Sequence, residues 1–139
     1  STEALVDRIV EQFHEAHRRE LAVLVALARE VDAWQPAADV EAPMQALADE
    51  LEQHMFKEEA RLFPMMVQGG SALIGHLIDA MQREHRLHAS YIEPVQRQLA
   101  LRADDAAAVR SCETFRRAFE AFIAALAQHA RIEDEVLFP

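Results

Sequence analysis

A single cysteine, Cys112, stands among the 139 residues, which excludes an internal disulfide and a thiolate-rich metal site. The lone thiol reads as a buried small residue, and a reducing compartment such as the cytoplasm suits it. Glycine is scarce: there are three, with five prolines. The background is rich in Ala, Leu, Glu and Arg, which favours helix over sheet. Cations are outnumbered, 14 Lys and Arg against 24 Asp and Glu, for a net charge of −10. Such a surface repels nucleic acid and anionic membranes alike. No uninterrupted apolar run reaches the ~20 residues of a bilayer span, and no signal-peptide pattern opens the chain. The length suits one domain, residues 1–139, with a real core.

The few breakers divide the chain into four segments. Pro36-Ala37-Ala38-Asp39 ends the first, Gly69-Gly70-Ser71 the second, and Arg102-Ala103-Asp104-Asp105 separates the third from the fourth. Asp39, Ser71 and either Asp104 or Asp105 can cap the second, third and fourth helices. Each segment has about 30 residues and would reach on the order of 45 Å as a helix. Pro64 should end or bend the second helix and Pro94 should kink the third, since each removes a backbone donor. Apolar residues recur at steps of three and four, which predicts an all-α, up-down-up-down antiparallel four-helix bundle. The inward stripes are Val10, His14, His17, Leu21, Leu24, Ala28 and Val31; Leu47, Leu51, His54, Glu58 and Leu62; Ile74, Ile78, Met81, His85, His88 and Ile92; and Phe115, Phe119, Phe122, Leu126, His129, Glu133 and Val136.

Polar residues break all four stripes at similar depth. Counting from the turns places His14, His54, Glu58, His85, His129 and Glu133 in one layer. An unpaired buried carboxylate costs several kcal/mol, so a set of this kind needs a cation to justify it. The tripeptide Leu-Phe-Pro closes the same eleven-residue pattern twice, at His54–Pro64 and His129–Pro139. Each copy sets a His four residues before a Glu, side by side on one helix face. His14 and His85 occupy matching places in the first helix of each hairpin, 71 residues apart, and His54/His129 and Glu58/Glu133 are each 75 apart. Divided by that internal two-fold, four imidazoles and two carboxylates suit two ions bridged by the two Glu side chains. Imidazole with carboxylate fits Fe, Mn or Zn, and paired iron is the usual occupant of such bundle sites.

The motifs Phe13-His14-x-x-His17-Arg18, His54-Met55-x-Lys57-Glu58-Glu59-x-x-Leu62-Phe63-Pro64, Glu84-His85-x-x-His88 and His129-x-x-x-Glu133-x-x-x-Leu137-Phe138-Pro139 resemble the hemerythrin-like (HHE cation-binding) proteins. More narrowly they resemble the iron-sulfur cluster repair di-iron proteins. That resemblance implies His14, His54, His85 and His129 as terminal ligands and Glu58 and Glu133 as bridges. It implies two iron ions, as Fe2+ or Fe3+ with an oxo or hydroxo bridge, that react with nitric oxide or oxygen. It further implies a role in protecting or repairing iron-sulfur proteins under nitrosative or oxidative stress. A reversible oxygen-binding or sensing module without turnover is the alternative. Full-length members of that group carry a small cysteine-bearing domain ahead of the bundle, which residues 1–139 do not include. Oxygen-carrying hemerythrins resemble the chain less: they draw a fifth His from a His-x-x-x-His pair, where this chain has Ala89, and use an Asp at the place of Asp134.

Around this set, His17 and His88 either orient ligands through hydrogen bonds or are polar neighbours. Glu84 either helps move protons or lines an entry path, or is a solvated-face residue; His76 reads as surface, Tyr91 and Trp34 as packing, and the methionines as core filler rather than copper ligands.

Overall fold

The computed structural model describes residues 1–69, 71–100 and 105–139. Among them there are four long helices and no strand. Helix α1 covers residues 2–34, as α-helical Thr2–Ile9 and Glu15–Trp34 joined by a π-helical turn, Val10–His14. Helix α2 covers residues 41–68, with Glu41–Lys57, a π turn Glu58–Leu62, and Phe63–Gln68. Helix α3 is Leu73–Leu99. Helix α4 covers residues 106–137, as Ala106–Ile132 and a final π turn, Glu133–Leu137. The expected antiparallel bundle is therefore present. Helix α1 packs along α2 and α4, α2 also packs along α3, and α3 meets α4 over a shorter stretch.

Caps account for most helix starts. Ser1 Oγ accepts from the Ala4 N–H at 3.2 Å, and Ser71 Oγ from the Leu73 N–H at 3.2 Å. Asp105 accepts from Ala107 and Ala108 at 2.9 and 3.2 Å. Gly70 and Asp104 lie outside the described residues. Asp39 does not cap α2. A 3-10 turn, Pro36–Ala38, leaves it left-handed at φ 46°, not in the extended conformation a cap requires. Asp32, reaching across from α1, takes the N–H groups of Val40 and Glu41 at 2.8 and 3.0 Å instead.

Neither Pro64 nor Pro94 ends its helix. Helix α2 runs through Pro64 to Gln68 because the ladder has already widened: the Phe63 N–H bonds to Glu58 O, five residues back. A turn of that size leaves room for a ring that would crowd an ordinary helix. Pro94 likewise sits inside Leu73–Leu99 without ending it. The π turns also shift the inward register by one residue. Ile9 is buried in place of the expected Val10, and Leu137 in place of the expected Val136, leaving Val136 61 % exposed.

Two apolar blocks result. The larger gathers Leu21, Leu24, Val31, Met44, Leu47, Leu51, Phe115, Phe119 and Phe122 toward the α1–α2 turn. The smaller gathers Val6, Ile9, Leu62, Phe63, Met81, Leu137 and Phe138 at the other end. Each helix passes from one block to the other through the polar layer.

Candidate metal centre

Each π turn touches the layer. His14 ends the turn in α1, while Glu58 and Glu133 begin those in α2 and α4. Such turns gather at functional sites, where one extra residue re-aims a side chain. All six residues expected in the layer come together. His14, Glu58 and Glu133 are fully buried, and His54 and His129 nearly so; His85 is 7 % exposed on its side chain.

The six form two overlapping groups: His14 and His129 with both Glu residues, and His54 and His85 with the same two Glu residues. Within each group the candidate ligand atoms lie within 4.8 Å of one another. The pairing crosses the hairpins, since His14 meets His129 and His54 meets His85, with Nε2···Nε2 distances of 3.1 Å in both. Glu58 Oε1 lies 3.2 Å from His14 Nε2 and 3.6 Å from His54 Nε2. Glu133 splits its oxygens, Oε1 lying 2.9 Å from His85 Nε2 and Oε2 2.9 Å from His129 Nε2. Each carboxylate thus reaches imidazoles of both groups, Glu133 Oε2 also lying 3.8 Å from His14 Nε2.

Inward Nε2 leaves Nδ1 facing outward. His14 Nδ1 lies 2.7 Å from Glu59, His54 Nδ1 2.9 Å from Glu84, and His85 Nδ1 3.0 Å from Asp134. Arg18 and Lys57 approach Glu59 and Glu84 in turn, both at 2.8 Å. Glu84 is therefore no solvated-face residue. It is drawn inward because the buried His54 needs an acceptor, and the hydrogen bond from His54 holds its carboxyl down at about 2. The helical pattern does not single out Glu59 as a partner, and it offers Asp134 only as a substitute ligand. The usable signal is adjacency, since each stands directly after one of the two Glu residues common to both groups. The Phe of each Leu-Phe-Pro also has a use: Phe63 stacks on His14 and Phe138 on His85.

Without a cation the layer is electrostatically awkward. Burial and the charge of Glu133 push Glu58 well above the ordinary carboxylate range. Burial opposes charge on Glu133 too, but His129, His14 and His85 outweigh it and hold that carboxyl low. Burial likewise opposes charge on His14, and Glu133, Glu58 and Glu59 overcome it, raising the imidazole to about 10. His17 and His88, buried one turn along from His14 and His85, fall to about 3, first through burial and then through the neighbouring imidazoles. Both oxygens of Glu58 and Oε1 of Glu133 are buried, and among the described residues no other side chain or backbone group donates to them apart from the candidate ligand imidazoles, His14 Nε2 at 3.2 Å and His85 Nε2 at 2.9 Å. Orphaned acceptors of this kind cost about 1–3 kcal/mol or more each, and a shared cation satisfies them together. The donor set of imidazole and carboxylate fits iron.

Other readings divide. His76 is exposed and Tyr91 packs against the larger block, as expected. Cys112 is only partly buried, and Trp34 is 55 % exposed, so it is not a packing residue. It stands at the last turn of α1, its ring turned outward while Ala38 and Val40 beyond it enter the core.

Comparison with known proteins agrees with this geometry. The sequence pattern of the hemerythrin HHE cation binding domain matches residues 5–139, and the chain belongs to that family. Its fold and its paired His/Glu groups are those of a di-iron protein. A probable iron-sulfur cluster repair protein of Haemophilus influenzae is 31% identical over 140 residues, covering 97% of this chain and 63% of that protein. The iron-sulfur cluster repair protein YtfE of Yersinia pseudotuberculosis is 31% identical over 143 residues, and that of Yersinia pestis is 30% identical over 143. The chain spans 63% of the length of these curated relatives.

Proposed function

We propose that residues 1–139 form a single domain that holds two iron ions, one on His14 and His129 and one on His54 and His85, with Glu58 and Glu133 shared between them. The sharing of two fully buried carboxylates by two imidazole pairs carries this assignment. Bound there, paired iron supplies electrons and open coordination positions to a diatomic ligand, nitric oxide or oxygen. The chain's own residues do the rest. Glu59, Glu84 and Asp134 accept the outward Nδ1–H groups and fix the rings with Nε2 inward. Phe63 and Phe138 cover His14 and His85, keeping bulk water from the layer. His17 and His88 line a small internal cavity of about 10 Å3 beside His54, His85 and His129, as neutral groups.

The names of the relatives support a role in repairing iron-sulfur clusters; we place that role under nitrosative or oxidative stress in the cytoplasm, as the family resemblance implies. No described helix is long and apolar enough to cross a membrane. The test takes an iron-sulfur enzyme whose cluster has been damaged by nitric oxide and adds the iron-loaded chain anaerobically. The proposal predicts recovery of cluster absorbance and activity beyond that given by equal free ferrous ion. Recovery no better than free iron overturns the repair role, and a stable oxygen adduct released intact favours reversible oxygen binding instead.

A further inference from the structure

Around the layer, the two halves of the chain correspond residue by residue. His14 matches His85 and His17 matches His88, each 71 residues on; His54, Glu58, Glu59 and Phe63 match His129, Glu133, Asp134 and Phe138, each 75 on. The contacts repeat as well. His14 uses Glu59 as His85 uses Asp134, and Phe63 lies on His14 as Phe138 lies on His85. Not every position repeats, since Arg18 and Lys57 correspond to Ala89 and Ile132 in the other half, but among the partners of the outward ring nitrogens one correspondence fails. The residue before His85 is Glu84, which accepts from His54 Nδ1 at 2.9 Å. The residue before His14 is Phe13. Its ring stacks on His129, with centroids 5.3 Å apart and planes 14° from parallel, and His129 Nδ1 is buried with no hydrogen-bond partner.

A carboxylate on the outer nitrogen of a ligating imidazole fixes the ring's tautomer and makes the inner nitrogen a better donor to a cation, and its loss typically lowers affinity about 10–100-fold. A phenyl ring can orient the imidazole by stacking but accepts no hydrogen bond of comparable strength.

We propose that this break in the two-fold makes the cation positions unequal, so that the ion on His14 and His129 is held more weakly and is the first to be given up, with Phe13 as the residue that sets the difference. The proposal rests on the di-iron reading of the layer. It would provide one labile ion beside one retained ion.

The test is an anaerobic Co2+ titration of the metal-free full chain against a chromophoric chelator of known affinity. Two binding steps about 10–100-fold apart are expected. Phe13→Glu should strengthen the weaker step toward the tighter one and leave the tighter one in place. Phe13→Gln, a neutral acceptor, should move the same step less. In the reverse direction Glu84→Leu should weaken the tighter step toward the weaker, which keeps the test decisive should the Phe13 variants fail to fold. Two ions bound in equal steps, or a Phe13→Glu chain whose weaker step is unmoved, would overturn the proposal and leave the di-iron reading standing. Fewer than two ions on the parent chain would overturn both.

Discussion

His17 and His88 show how far burial, aided by neighbouring imidazoles, can set a side chain's chemistry. Their imidazoles fall to about 3 in the metal-free chain, mainly through burial, against ~6.5 in an unfolded one. The unfolded chain therefore takes up protons that the folded chain refuses, and folding free energy weakens as pH falls through ~6.5 toward 3. His14, raised to about 10, contributes stability that is fully present below ~6.5, so it adds no slope there. Glu58, also raised, acts in the opposite sense to His17 and His88, which makes the difference between variant and parent the quantity to measure. Chelator-treated protein with both His17→Met and His88→Met is predicted to lose less stability than the parent between about pH 6.5 and 4.5. The share removed is up to about 1.4 kcal/mol per pH unit for each His. Parallel pH profiles from denaturant melts would show that these rings are not held neutral.

At the scale of the helices, the structure separates holding the fold from holding the ions. Phe119 sits fully inside the larger apolar block, away from the polar layer. Phe119→Ala should cost about 3–5 kcal/mol, as large-to-small changes in cores do, while the chain still binds two ions per molecule. Loss of metal together with stability would mean that the layer depends on that block. Deleting Ala60 should do the reverse. It returns the widened turn Glu58–Leu62 to ordinary helix, in which the Phe63 N–H still bonds to Glu58 O four residues back and keeps its place, while the aim given to Glu58 by the extra residue is lost. Metal stoichiometry should fall more than the unfolding midpoint shifts. The helices and the six-residue layer are legible in the sequence, because a buried His or Glu on an apolar stripe has few explanations and here six coincide. The π turns are not, since a period of three and four cannot register one extra residue. Hence the pattern places Val10 and Val136 inward, and the widened turns displace those places to Ile9 and Leu137. Glu84 escapes the pattern for a different reason: a carboxylate beside a ligand looks solvated until the neighbouring helix supplies a buried Nδ1–H.

For the molecule as a whole, the polar layer lies between a large apolar block and a small one. Two cations there, each held by residues of three helices and together by all four, would tie the small block, with Val6, Ile9, Leu62, Phe63 and Leu137, to the rest. Binding to the folded state alone adds stability by mass action, ~4 kcal/mol at a thousand times Kd. Removing metal should therefore lower Tm, and amide exchange should rise first at this end of the bundle. Uniform exchange along all four helices would show that the layer does not act as a tie. The central claim, that one buried layer holds two irons through shared carboxylates, is tested most directly by counting iron after anaerobic reconstitution with ferrous ion. The parent chain is predicted to bind about two irons, and the Glu58→Ala, Glu133→Ala double variant none, because both positions share those residues. No iron on the parent, or an unchanged count in the double variant, would contradict it.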